Sequence, residues 1–247
     1  MAAELEKLAK YYTDKSNKPR ADLYTALAAE ERAIGGLETV IPVQLTPKTA
    51  TKSSVIAPKT ELITALSPET QRLVEQMRND GYTVYDLAGK TPAVLRTEGM
   101  KFWYVNPALE TATAVPALVA FKKKPSEFFL RRSKNTPFEK QLKLLEEEKE
   151  KVKRKYPDAG LIVRLGKPSE WSEAAFEHFK ATGVRIFGKD YGYNYTWVNA
   201  YESDQVGARR AIVGDWNETH GLGVDFDRPD GVGSGLGLAP LVEIPRK

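Results

Sequence analysis

The chain contains no cysteine and only two histidines among its 247 residues. The absence of cysteine excludes disulfides, thiolate nucleophiles, iron–sulfur clusters and cysteine-ligated zinc, and it fits a reducing compartment. Metal sites built mainly from imidazole are excluded as well, because two histidines cannot supply them. We therefore expect a cytoplasmic or virion-associated protein.

Long hydrophobic runs are also missing. Val115–Phe121 is among the longest, and it is far shorter than the roughly 20 residues of a membrane-spanning helix. The first residues, Met1 to Glu4, lead directly into a mixed acidic and basic helical pattern, so we expect neither a signal peptide nor a presequence. An apolar fraction of 41% excludes wholesale disorder. These features predict a folded protein without a membrane partner.

Lysine becomes rare towards the end of the sequence, where Lys247 is the only one after Lys189. Residues 190–247 contain nine acidic and five basic residues, a net charge of −4, so the preceding residues carry +8. The basic excess that a nucleic-acid partner would require therefore belongs to the first three quarters of the chain.

The pattern divides the chain into an arm and a body. Residues 1–65 have a helical pattern up to Ile34 and then a proline- and threonine-rich stretch, which predicts a helical arm and an extended linker. A homo-oligomer formed through residues 1–60 is one expectation. Residues 66–247 predict a globular α+β domain, with helices and strands mixed in the middle and a loop-rich β end.

The body has a clear order of predicted elements. Ser67 and Pro68 mark a helix start, and Asn79 to Gly81 mark its end. Further helices are predicted over 137–154 and 168–182. Strands are predicted over 82–87, 101–105, 115–121, 161–165, 184–187, 193–201, 209–213, 221–226 and 238–244.

The acidic turn near the end of the sequence could hold a hard cation. Asp225, Asp227 and Asp230 lie within six residues, and oxygen ligands at such spacing suit Ca²⁺ or Mg²⁺. The glutamate that completes an EF-hand is missing, so a solvated acidic turn is the alternative interpretation. With His220, these carboxylates also suggest a metal-dependent hydrolase as an alternative function.

A basic stretch with interleaved aromatic residues lies over 122–140. Its cations alternate with Phe128, Phe129 and Phe138, the pattern of a groove that binds single-stranded nucleic acid. The competing interpretation is that the phenylalanines anchor the segment in the core while the lysines stay solvated. Nucleic-acid binding is therefore an alternative function.

The most informative feature is the composition of residues 190–247, rich in Tyr, Trp, Asn and Asp. Flat rings supply contact area at low entropic cost and short polar groups supply hydrogen bonds, as in adaptable recognition surfaces. We therefore expect a non-enzymatic protein that recognises a protein or glycan ligand. The predicted ligand-binding residues are Tyr191, Tyr193, Asn194, Tyr195, Trp197, Asn199, Tyr201, Asp215, Trp216, Asn217, His220 and Arg228.

Four segments of this region carry a family resemblance: Tyr193 to Trp197, Ala208 to Trp216, Gly221 to Phe226 and Gly235 to Val242. In their composition and order these segments resemble the C-type-lectin-like variable proteins of diversity-generating retroelements. The resemblance implies short Trp- and Gly-rich strands that present a ligand face, a final strand that closes the fold, and no catalytic chemistry. The related formylglycine-generating enzymes use cysteines, so their activity is not implied.

Overall fold

The computed structural model describes Lys10, Thr25 and residues 66–112, 114–188, 197–200, 210–217, 219–227 and 235–246. The chain divides into two units, Met1–Ser54 and Val55–Lys247, and the elements below belong to the second. Apart from Lys10 and Thr25, which are helical, the predicted arm over 1–65 lies outside the described residues.

The described elements mix helices and strands, so the α+β class is confirmed. The helices, in chain order, are α1 (Pro68–Asn79), α2 (Pro92–Thr97), α3 (Pro125–Phe128), α4 (Phe138–Lys155) and α5 (Pro168–Thr182). The strands are β1 (Tyr82–Leu87), β2 (Phe102–Val105), β3 (Ala117–Lys122), β4 (Ile162–Leu165), β5 (Trp197–Ala200), β6 (Arg210–Asn217), β7 (Gly221–Asp227), β8 (Leu236–Gly237) and β9 (Pro240–Ile244).

The predicted start of α1 is confirmed in detail. The Ser67 hydroxyl accepts a hydrogen bond from the Thr70 N–H at 3.2 Å, and Pro68 occupies the first turn, where its missing N–H costs nothing. Gly81 adopts φ 81° directly after the helix, a conformation that favours glycine, and β1 follows at once.

The predicted strand over 184–187 is wrong. Those residues form irregular backbone and a turn, in which Ile186 and Phe187 are fully buried. Their apolar pattern therefore reflects packing in the core and not a place in a sheet. The short helices α2 and α3 gave no periodic signal, because six and four residues span too few turns to show one.

Sheet 1 consists of β1, β3, β9 and β4 in that order, with every neighbouring pair antiparallel. Its side chains alternate between two apolar clusters. Val84 and Leu118 pack with Val74 of α1 in one cluster, while Leu87 and Val119 belong to the other. A sheet buried on both faces forms the centre of the body.

Sheet 2 consists of β2, β7, β6, β5 and β8 in that order. The outer pairs β2–β7 and β5–β8 are parallel and the inner pairs are antiparallel. Gly221 begins β7 with φ 96°, and a Cβ at this position would collide with the Lys101 carbonyl oxygen. That oxygen accepts the Leu222 N–H at 3.0 Å, so the close approach joins β2 to β7.

Helix α5 packs against both sheets and is buried over its first nine residues. Two carboxylates lie in this buried stretch. Glu173 accepts the backbone N–H groups of Ala88, Gly89 and Lys90 at 2.8–3.0 Å. Glu170 forms a bidentate pair with Arg164 of β4, with both distances 2.7 Å. Each charge is therefore satisfied, the condition under which a buried carboxylate is tolerated.

His178, in the last part of α5, is a buried titratable group of the core. Its side chain is 3% exposed, and its Nδ1 lies 2.9 Å from the Tyr85 hydroxyl. Burial lowers the pKa of His178 to about 4 from the ordinary value of 6.5, and the charge of Lys123 acts in the same direction. The imidazole is therefore neutral at pH 7.

We predict that this histidine weakens the fold in acid. Above pH 6.5 His178 contributes no pH dependence. Between pH 6.5 and 4 the unfolded chain binds a proton that the folded chain does not, so the free energy of unfolding decreases as the pH is lowered. The expected loss is roughly 3 kcal/mol. Urea unfolding at pH 7.5 and 4.5 should show a smaller loss for His178→Gln, whose amide can still accept the Tyr85 hydroxyl. Equal losses in the wild type and in His178→Gln would contradict the claim that His178 causes the loss of stability in acid.

Candidate ligand-binding site

One end of sheet 2 gathers the points at which the chain leaves and re-enters the sheet. Arg210 pairs with Asp227, and Ala200 pairs with Ala211, so the ends of β5 and β7 lie beside the start of β6. In the sequence, residues 201–209 follow β5 and residues 228–234 follow β7. Because β2 runs parallel to β7, its last residue also lies at this end.

Asn106 follows β2 at this end of the sheet. Its backbone N–H donates to the Val224 carbonyl at 2.8 Å, and its side-chain amide donates to an Asp225 carboxylate oxygen at 3.2 Å. The same Asp225 oxygen accepts the Phe226 N–H at 2.8 Å. The carboxylate of Asp225 is thus held in one orientation by two donors.

Two aromatic residues of β2 precede Asn106 in the chain, and one of them, Tyr104, lies close enough to Asp225 for the carboxylate charge to act on its hydroxyl. Trp103 and Tyr104 are both half-buried, with ring centroids 5.8 Å apart. Consecutive strand residues usually point to opposite faces of a sheet. The register of β2 against β7 shifts between Phe102 and Tyr104, so the regular alternation is interrupted at Trp103. Burial raises the pKa of Tyr104 and the charge of Asp225 acts in the same direction, whereas a hydrogen bond with Asn106 opposes both.

We call Trp103, Tyr104, Asn106, Asp225 and Asp227 the aromatic–acidic surface. The sequence predictions named its two aspartates, as metal ligands, but missed its other three members. The signal was the run of three aromatic residues from Phe102 to Tyr104 inside a predicted strand.

A β-bulge in β6 supports the indole of Trp103. The register of β6 and β7 shifts between Gly214 and Asn217, and within this bulge Asp215 adopts φ 50°, which is uncommon for a residue other than glycine. The Asp215 carbonyl accepts the Trp103 indole N–H at 3.2 Å. The predicted ligand residue Asp215 therefore positions an aromatic ring through its backbone.

Trp216 is a core residue, so the expectation that its ring faces outward is wrong. The side chain is only 8% exposed and packs against two rings of α5, with centroid distances of 4.8 Å to Phe176 and 5.2 Å to Phe179. Its backbone N–H donates to the Phe187 carbonyl at 3.2 Å. Trp216 thereby fixes sheet 2 to α5.

The acidic turn does not form a metal centre within the described part of the chain. No group of three His, Asp or Glu side chains there could hold a metal ion. Asp227 lies 3.4 Å from the guanidinium of buried Arg210, a positive charge that disfavours a cation beside it. Asp230 lies outside the described residues, and His220 is half-buried in the turn between β6 and β7.

The remaining predicted ligand residues are described only in part. Trp197 and Asn199 lie in β5, and Asn217 ends β6. The others lie outside the described residues: Tyr191, Tyr193, Asn194, Tyr195, Tyr201 and Arg228. Their binding roles stay predictions.

The basic stretch over 122–140 is anchored by its phenylalanines. Phe128 is 1% exposed and Phe129 is 7% exposed, and their rings pack edge to face at 4.9 Å. Phe138 is half-buried beneath the Arg210 guanidinium, 5.2 Å from the ring centre. The anchoring by phenylalanines is confirmed, although Lys122 and Lys134 are half-buried and not fully solvated, and the groove of exposed stacking rings is wrong.

Comparisons of the chain with protein-family models, with curated proteins and with solved structures give no match. The resemblance to C-type-lectin-like variable proteins therefore stays a prediction. Among the described residues, no helix combines the length and the apolar character needed to cross a membrane.

We predict that Trp216→Ala destabilises the protein by about 3–5 kcal/mol, because removing a buried aromatic ring leaves a cavity against Phe176 and Phe179. Urea unfolding measures this loss. Leu142→Ala, which truncates a partly exposed side chain on α4, is the control and is expected to leave the midpoint nearly unchanged. A Trp216→Ala protein as stable as the wild type would contradict the core assignment.

Proposed function

We propose that the protein is a non-enzymatic recognition protein that binds a protein or glycan ligand at the aromatic–acidic surface. The predicted ligand residues Tyr201 and Arg228 directly follow β5 and β7 in the sequence. The observation that carries the proposal is the half-buried pair of rings, Trp103 and Tyr104, of which Tyr104 lies near the Asp225 carboxylate that Asn106 orients.

The chemistry of this surface suits binding. Half-exposed Trp and Tyr rings offer apolar area together with a polar group, which is why both residues are enriched in interfaces. Asp225 adds a negative charge whose orientation is already set. A site ordered before the ligand arrives loses little entropy on binding.

The scaffold under the surface also supports the proposal. Val213, Leu222 and Val224 of the central strands β6 and β7 are fully buried. Binding residues commonly lie on connections held by such a rigid framework.

To test this proposal, ligands for the full chain are selected from a displayed peptide library and from an array of defined oligosaccharides. Tyr104→Ala should weaken the selected ligands at least tenfold, because it removes a ring from the surface. Leu142→Ala, which truncates a partly exposed side chain on α4, is the control and should leave affinity unchanged.

Two results would count against the proposal. Ligands that bind Tyr104→Ala as tightly as the wild type would place the site elsewhere. Failure of both collections to give any ligand for the wild-type chain would contradict a recognition function of this surface.

A further inference from the structure

The loop between α3 and α4 carries a second surface, with chemistry opposite to that of the aromatic–acidic surface. We call residues 130–137 the Arg132 loop. Within the wider segment 122–143 there are eight lysines and arginines and only two glutamates. One of these, Glu127, lies 3.5 Å from Lys124. The segment is therefore strongly basic.

The Arg132 loop is held in a single backbone geometry. Arg132 has φ 70° and Asn135 has φ 54°, two left-handed residues other than glycine within four positions. Such conformations persist where the surroundings determine them, and they concentrate at functional sites.

Hydrogen bonds from buried polar groups fix the backbone conformation of the Arg132 loop. Gln141 is 1% exposed, and its amide donates to the carbonyls of Ser133 at 2.7 Å and Thr136 at 3.1 Å. The fully buried Ser133 hydroxyl accepts the Leu238 N–H at 3.0 Å, and the Leu130 N–H donates to the Leu238 carbonyl at 2.9 Å. The loop is thus fastened to both α4 and the segment between β8 and β9.

The charges of this fixed loop point to solvent. Arg131 and Arg132 are exposed, and so is Lys140 in the first turn of α4. Lys134 is half-buried, with its ammonium 4.6 Å from the ring centre of Phe129. A rigid backbone that presents exposed cations suits an anionic partner with fixed spacing of its charges.

We propose that the Arg132 loop and the first turn of α4 dock on the phosphate backbone of duplex nucleic acid, with Arg131, Arg132 and Lys140 contacting phosphates. A single strand is the weaker fit, because its binding relies on exposed rings and Phe128 and Phe129 are buried.

An anionic membrane is also the weaker fit. Membrane-surface binding uses inserted apolar side chains together with cations. Of the large apolar residues exposed in the described part of the chain, Leu142 is the only one within 122–143. The phosphate contacts alone carry no base readout, so the expected binding is independent of sequence.

The test measures fluorescence anisotropy of a labelled DNA duplex of about 20 base pairs with the full chain, between 50 and 200 mM salt, a range over which phosphate contacts weaken strongly. The variant Arg131→Gln/Arg132→Gln/Lys140→Gln should weaken binding at least tenfold. It should also reduce the slope of log affinity against log salt by about 0.9 for each lost contact.

The matched control is Lys149→Gln/Lys151→Gln/Lys153→Gln, which removes the same charge from the second half of α4. This control should change the slope of log affinity against log salt by less than about 0.9, the value expected for one phosphate contact. If the triple loop variant does not fold, the single variants Arg131→Gln and Lys140→Gln, both at exposed positions, give the same comparison with Lys149→Gln.

Three results would overturn the proposal. The first is an equal loss of affinity in the control, which would show that net charge alone drives binding. The second is no binding of the duplex by the wild type at the lowest salt. The third is tighter binding of single-stranded DNA or of phosphatidylserine vesicles than of the duplex, which would assign the loop to that other partner.

Discussion

The interaction on which the rest of the structure depends is the pairing of the two buried carboxylates of α5. Glu170 and Glu173 lie in the interior, where an unpaired charge would cost several kcal/mol. Arg164 of β4 pairs with the first, and three consecutive backbone N–H groups after β1 satisfy the second. The register of α5 against both edge strands of sheet 1 is thereby determined, because a helix shifted by one turn would leave both charges without partners.

Sheet 2 takes its position from the same helix, since Phe176 and Phe179 receive the ring of Trp216. The Arg132 loop is in turn fastened at Leu238, between the last strand of sheet 2 and the last strand of sheet 1. The two proposed surfaces therefore rest on one core but differ in charge. Asp225 and Asp227 make the first acidic, and the exposed arginines and lysines make the second basic. The acidic surface would repel the phosphates that the basic surface is proposed to bind, which favours separate ligands.

Local signals in the sequence predicted much of the fold and less of the candidate site. The cap at Ser67 and the periodic pattern of α5 depend on neighbouring residues, so both could be predicted from the sequence. The burial of Trp216 depends on partners in α5, which are distant along the chain. The sequence around Trp216 is rich in Tyr, Asn and Asp, and this composition suggested an exposed ring instead. Asn106 was missed because its role arises only when the parallel pairing of β2 and β7 brings it to Asp225.

The most direct test of the central claim is the free energy of unfolding of Glu173→Gln, measured in urea. The amide nitrogen replaces one acceptor oxygen and faces backbone N–H groups that remain buried, so the expected loss is about 1–3 kcal/mol. Glu177→Gln is the matched control on the same helix, where Glu177 forms a partly exposed pair with Lys180, and its expected loss is below about 0.5 kcal/mol. Equal small losses in the two variants would contradict the claim that the buried carboxylates of α5 hold the structure together.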